Sequence, residues 1–120
     1  MREKEYKARL QDGATWDIEN IKKYKGRRSS VAAPRIIGKI LKRLRALETA
    51  PYSGRVSEYD PDYREVFVED YTVLYSVDER REALYVDFIL HQSRNIEYIV
   101  KTGDRSFEVD FDDEFEEDDF

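Results

Sequence analysis

The sequence predicts an α+β fold of order β-α-α-β-β-β, with an N-terminal helical hairpin packed on one face of an antiparallel sheet. Three observations carry that expectation. Apolar residues recur at helical spacing before Pro51 and alternate with a period of two after it. The chain has 120 residues, too few for two independent cores. The composition, 40% apolar and 40% charged, supplies one core under a densely charged surface.

Residues Lys4 to Leu10 place Tyr6, Ala8 and Leu10 on one side and read as a first strand. Asp12-Gly13 breaks it, with Asp12 as a helix N-cap. Ala14, Ile18, Ile21 and Lys25 then follow at i, i+4, i+7 and i+11, flanked by Trp16 and Tyr24, so a short amphipathic helix runs to about Lys25 and stops at Gly26. Ser29 and Ser30 offer the next N-cap. The second helix carries Ile36, Ile37, Ile40, Leu41, Leu44 and Leu47 as a broad apolar stripe, with Arg35, Lys39, Lys42, Arg43 and Arg45 on its other faces. Pro34 belongs in its first turn, and Pro51 ends it by biasing Ala50 out of the helical region.

Arg64 to Val68, Tyr71 to Val77 and Leu84 to Leu90 read as three strands rich in Val, Tyr, Phe and Ile. Glu69-Asp70 and Asp78 to Glu82 are turns short enough to join antiparallel neighbours. In the last strand Leu84, Val86, Phe88 and Leu90 point one way and Tyr85, Asp87, Ile89 and His91 the other. The expectation is one face against the helices and an opposite face that stays wet. Gln92 to Lys101 fits a short helix or a strand, and Gly103-Asp104 marks the end of the body.

The net charge of −6 conceals an asymmetry. Ser106 to Phe120 holds nine acids and no base, which leaves 18 acids against 21 bases, a formal +3, in residues 1–105. The chain therefore divides into a domain, residues 1–103, and an acidic C-terminal tail, residues 104–120, and its acidity overall does not exclude a polyanionic partner. The tail reads either as a solvated segment or as one that Phe107, Phe111 and Phe115 anchor on a cationic sheet face. Phe107, Val109 and Phe111 alternate with acids and fit a short extra strand. The chain has no cysteine and a single histidine, which argues against disulfides and a zinc site. No cofactor is implied. With no 18-residue apolar run and no leader pattern in Met1 to Lys7, the expectation is a cytoplasmic protein.

Several segments in order carry a resemblance: the helical pair, Pro51-Tyr52-Ser53-Gly54-Arg55, Tyr63-Arg64, Tyr71-Thr72-Val73-Leu74-Tyr75-Ser76-Val77, and Ile89-Leu90-His91-Gln92-Ser93-Arg94-Asn95. Over roughly residues 4–100 the pattern resembles the RelE/ParE superfamily of bacterial type II toxins, and the Tyr-x-Val-x-Tyr-x-Val strand followed by Ile-Leu-His-x-x-Arg looks closer to the ParE, or plasmid-stabilisation, branch. The resemblance implies a growth-inhibiting toxin neutralised by a cognate antitoxin, assembled with it as an oligomer. It implies one of two activities: metal-free cleavage of mRNA on the ribosome, as in RelE-like members, or binding and poisoning of DNA gyrase, as in ParE-like ones.

A metal-free ribonuclease concentrates positive charge at the phosphate and holds an acid and a base within reach. RelE-type sequences place an arginine where this chain has Thr72 and lysines where it has Tyr63 and Glu65. Only Arg94 matches a cationic position. A catalytic reading would use His91 as acid or base with Arg94 and Arg64 as a clamp. The alternatives are a strand-end His91 hydrogen-bonded to Asp87 on its own face, and arginines in local salt bridges. As partner-binding residues the candidates are Arg64, Asp87, His91, Arg94, Lys39 and Arg43. The last two lie on the basic side of the second helix, which serves either as a solvated face or as a docking surface for antitoxin or gyrase. The favoured expectation is a gyrase-poisoning toxin. Its alternatives are a ribosome-dependent endonuclease and a catalytically inactive interaction protein masked by its tail.

Overall fold

The computed structural model describes residues 5–25 and 30–106. Its elements are β1 (Lys7–Leu10), α1 (Asp12–Lys25), α2 (Ala32–Leu47), β2 (Arg55–Val56), β3 (Arg64–Val68), β4 (Tyr71–Asp78), β5 (Ala83–His91) and α3 (Ile96–Thr102). The strands form one sheet in the order β1-β5-β4-β3-β2. The α+β fold class and the element order hold, with two additions, the two-residue β2 and α3.

One pairing departs from the expected antiparallel sheet. β1 lies parallel to β5, from Lys7 opposite Ala83 to Leu10 opposite Val86, so the sheet is mixed. The other pairs are antiparallel. A helical hairpin between β1 and the remaining strands is a crossover long enough to bring a strand back parallel, which apolar alternation in a four-residue strand does not encode.

α1 and α2 cover what we call the back of the sheet. Ala14, Ile18 and Ile21 from α1 and Ile36, Ile40, Leu44 and Leu47 from α2 form one core with Val66, Val68, Tyr71, Val73, Tyr75, Leu84, Val86 and Ile89. Ile40 and Leu47 are fully buried, whereas Leu41 at the margin of the stripe and Trp16 are exposed. Pro34 lies in the first turn of α2, and Val31, not Ser30, occupies its N-cap without a side-chain bond. The expected roles of Gly26 and Ser29 fall outside the described residues.

The front is not wet. A second cluster of Leu74, Phe88, Leu90, Ile96 and Ile99, flanked by Tyr59, Tyr63 and Val100, packs beneath α3. Its origin is a β-bulge. Leu74 pairs with Phe88 and Tyr75 with Val86, so Asp87 is the extra residue in β5. An inserted residue reverses which face the following side chains occupy. Leu84 and Val86 therefore share the back with Ile89, while Phe88 and Leu90 turn to the front. The ambiguous segment resolves as α3, capped by the Asn95 side chain on the Tyr98 N–H at 3.2 Å and closed by Gly103 at φ 76°.

Candidate functional site

The candidate residues lie in four places that do not converge. The first is the corner where β5 ends. His91 pairs in register with Tyr71, and their rings meet edge to face with centroids 5.1 Å apart. Its Nδ1 accepts from the Ser93 N–H at 3.1 Å and lies 2.8 Å from the Ser93 hydroxyl. With Nδ1 accepting, the ring proton of the neutral imidazole sits on Nε2, so that nitrogen is a donor and not a base. Burial, followed by the nearby charge of Lys25, holds the imidazole below its usual pKa. The expected His91–Asp87 hydrogen bond is not formed: the bulge puts Asp87 on the front, where it accepts from Tyr63 Oη at 2.6 Å.

Next to that corner Arg94 is buried and donates to the Arg105 carbonyl at 3.3 Å. Arg105 in turn reaches into the body. Its Nε and Nη2 donate to the Asp17 carboxylate at 2.7 and 3.1 Å and Nη2 also to the Asp87 carbonyl at 2.9 Å, and its guanidinium lies 4.7 Å over the Phe88 ring. The Ile89 N–H donates to Asp17 at 2.9 Å. These bonds have one physical purpose. β1 ends opposite Val86, so β5 beyond it has an open edge, and Asp17 and Arg105 satisfy backbone groups that a neighbouring strand would otherwise take. Burial pushes the Asp17 carboxyl up, against the pull of Arg105 and the Ile89 N–H. A Cβ at Gly13 would stand 2.7 Å from Arg105 Nη2, so the first turn of α1 leaves room for the guanidinium.

Asp17 and Arg105 were absent from the sequence-derived candidates, although a signal exists for the first. Ala14, Asp17 and Ile21 fall at i, i+3 and i+7, so an acid interrupts the buried stripe of α1 and demands a buried partner. For Arg105, 88 residues further along, there is no such signal.

Arg64 occupies a third place. It pairs in register with Tyr75, four residues along β4 from Tyr71, a separation of roughly 13 Å. Its Nη1 donates to the Gly54 carbonyl at 2.7 Å, and its guanidinium lies 5.0 Å over the Tyr52 ring. Tyr75 Oη donates to the Pro51 carbonyl at 2.8 Å and accepts from the Gly54 N–H at 3.1 Å. A Cβ at Gly54 would fall 2.5 Å from that hydroxyl, which explains the glycine in Pro51-Tyr52-Ser53-Gly54-Arg55. Arg43 is half-buried, and its charge and that of Arg64 both act on the Tyr75 hydroxyl, whose pKa burial nonetheless raises. Lys39 lies elsewhere on α2 and, with Arg35, pairs with Glu69 in the β3–β4 turn.

The front face is the fourth place, where a ribonuclease would need cations. Thr72 is buried there. Glu65 is only 1% exposed and accepts from Arg55 Nη2 at 3.1 Å. Asp60, Asp62 and Asp87 all raise the pKa of the Tyr63 hydroxyl, after burial and the Asp87 hydrogen bond, and Glu58, Glu65 and Glu97 act likewise on Tyr59. The front is therefore an acidic and aromatic surface, and the cationic sheet face expected as a seat for the tail is not found there. The tail's own residues from Phe107 onward, with their proposed strand, lie outside the described residues.

Comparison with known proteins agrees with this architecture. A chain of the RelBE2 toxin–antitoxin complex from Mycobacterium tuberculosis superposes with a TM-score of 0.55 at 17% identity, over 72% of this chain and 98% of that one. A chain of the chromosomal ParDE toxin–antitoxin system from P. aeruginosa gives 0.63 at 16% identity, over 72% and 95%. At those identities the likeness is one of fold. No curated protein matches the sequence significantly. The model of the ParE toxin of the type II toxin–antitoxin system parDE does match, over residues 8–96, and since that stretch holds β1 to β5 and both helices of the hairpin, the chain belongs to the ParE toxin family.

Proposed function

We propose that this toxin inhibits growth in the cytoplasm by binding and poisoning DNA gyrase, without chemistry of its own, and that a cognate antitoxin neutralises it by forming an oligomeric complex. The observation that carries this reading is the dispersal of the groups a metal-free ribonuclease would need. His91 presents a protonated Nε2, Arg94 is buried against Arg105, and Arg64 is spent on the Gly54 carbonyl, while Glu65 and Asp87 occupy the front. Carboxylates at that position oppose a phosphate, and Arg64 and His91, on strand positions roughly 13 Å apart and turned to Gly54 and Ser93, do not meet at one bond. The antitoxin fits the two structural neighbours, each taken from a toxin–antitoxin system.

The test pairs two assays on the purified chain. With gyrase, ATP and supercoiled plasmid, accumulation of cleaved plasmid is the expected result. In-frame cuts in mRNA on programmed ribosomes, lost in His91→Ala and Arg94→Ala, would replace this reading with the endonuclease.

A further inference from the structure

The family match ends at Ile96, and both structural neighbours are covered almost to their full length by 72% of this chain. The acidic segment beyond Ser106 thus lies outside the family match. Its nine acids and five phenylalanine or valine residues require a seat of opposite charge with apolar footholds, and at the front of the sheet Arg55 and Lys101 are already paired with Glu58, Glu65 and Glu97, beside the further acids Asp60, Asp62 and Asp87.

The outer face of α2 has the matching chemistry. Val31, Arg35, Gly38, Lys42 and Arg45 recur at i, i+4, i+7, i+11 and i+14, all exposed, on the side away from Ile36, Ile40 and Leu44. Val31 is 67% exposed, and Leu41 beside the stripe is 43% exposed. At the centre stands Gly38, where an added Cβ would meet nothing within 4 Å. Glycine in an exposed helix interior costs about 1 kcal/mol relative to alanine, and no packing within the described body accounts for it. A bare backbone there lets another segment approach closely.

Reach is sufficient. The described chain leaves the body at Arg105–Ser106, tied to α1 through Asp17, and α1 packs directly against α2. Residues 107–120 span at most about 50 Å extended, against a length of about 24 Å for α2.

We propose that residues 107–120 dock in cis along the outer face of α2, with phenylalanines against Val31, Gly38 and Leu41 and carboxylates against Lys42 and Arg45, while Arg35 keeps its bond to Glu69. The segment then occupies the basic outer face of α2 and withholds it from any other acidic partner. The chain lacks cysteine, so Glu117→Cys in the full-length protein offers a single thiol for a nitroxide label. The expected result is loss of amide NMR intensity at Arg35, Gly38, Lys42 and Arg45 but not at Tyr63 or Tyr98. The loss should fade between about 0.01 M and about 1 M salt, as screening shortens from about 30 Å to about 3 Å. It should also shrink in the Lys42→Glu, Arg45→Glu double variant. Unbroadened α2 amides, broadening centred on the front, or indifference to charge reversal would overturn the proposal. Broadening seen only between labelled and unlabelled copies would overturn docking in cis. None of these readouts depends on gyrase, so failure here and failure of the proposed function are separate results.

Discussion

The back of the sheet is covered by helices of 14 and 16 residues and filled almost entirely with aliphatic and tyrosine side chains. The front is covered by a helix of 7 residues, and its small apolar cluster is bordered by carboxylates, among them the buried Glu65. The back is held by area removed from water, which tolerates imprecision. The front depends on individual bonds, Tyr63 to Asp87 and Arg55 to Glu65, whose worth depends on each partner being present. One sheet thus has a face that fixes the fold and a face whose chemistry distinguishes this chain.

The largest effect should come where the two faces are joined. Arg105 touches Phe88 on the front and neutralises Asp17 from the back helix. Arg105→Ala strands a buried carboxylate, and a loss of about 3–5 kcal/mol in urea unfolding is expected. The Asp17→Asn, Arg105→Met pair should recover a good part of it, because no charge is then left unpaired. A loss below about 1 kcal/mol for Arg105→Ala would mean that the front and back are not coupled through this pair.

Within the back, Ile40→Ala should cost about 2–5 kcal/mol, since Ile40 is fully buried between α2 and the sheet. Within the front, the same truncation, Ile99→Ala, should fall at the low end of that range, about 2 kcal/mol, because its small cluster can close around the loss. If front truncations proved as costly as back ones, the division of labour between the faces would not stand.

How much of this was legible follows from the same division. The back could be read because Ile36, Ile40, Leu44 and Leu47 repeat at helical spacing, and because Val66, Val73 and Tyr75 alternate as a half-buried strand does. The front could not, because Ala-Leu-Tyr-Val-Asp-Phe-Ile-Leu-His alternates without interruption in sequence. Nothing local marks Asp87 as the residue that the partner strand skips. Extrapolating the alternation past it put Phe88 with Val86 and His91 with Asp87, each pair on one face, when the bulge separates both. α3 stayed ambiguous because it buries only Ile96 and Ile99, too few positions to declare a period. Of the candidate site, the positions of Arg64 and His91 along their strands were foreseen. Their engagement with Gly54 and Ser93 was not, since both bonds depend on loop geometry.

A smaller effect tests whether the polar bonds of the front matter at all. Tyr63→Phe removes the hydroxyl that donates to Asp87 and leaves the ring against Phe88, which it meets at 5.8 Å and 83°. A loss of about 0.5–1.5 kcal/mol is expected. In the gyrase assay this variant also reports whether the Tyr63 hydroxyl takes part in target binding: unchanged poisoning would remove it from the target contact.

The smallest effect belongs to the corner at His91, where β5 ends. Its folded-state pKa lies below the ordinary value, through burial first and Lys25 second. On acidification the unfolded chain therefore takes up the proton before the folded one does. Stability contributed by the neutral imidazole is fully present above about pH 6.5 and is lost as pH falls toward the folded value. Asp17 acts with opposite sign, because its raised pKa makes the folded state the better proton acceptor and adds stability at lower pH. The urea midpoint should accordingly fall between about pH 7 and pH 5.5, and His91→Gln should flatten that decline while leaving the Asp17 contribution in place. A decline identical in the variant would place the sensitivity in some other group and remove His91 from the account of this corner.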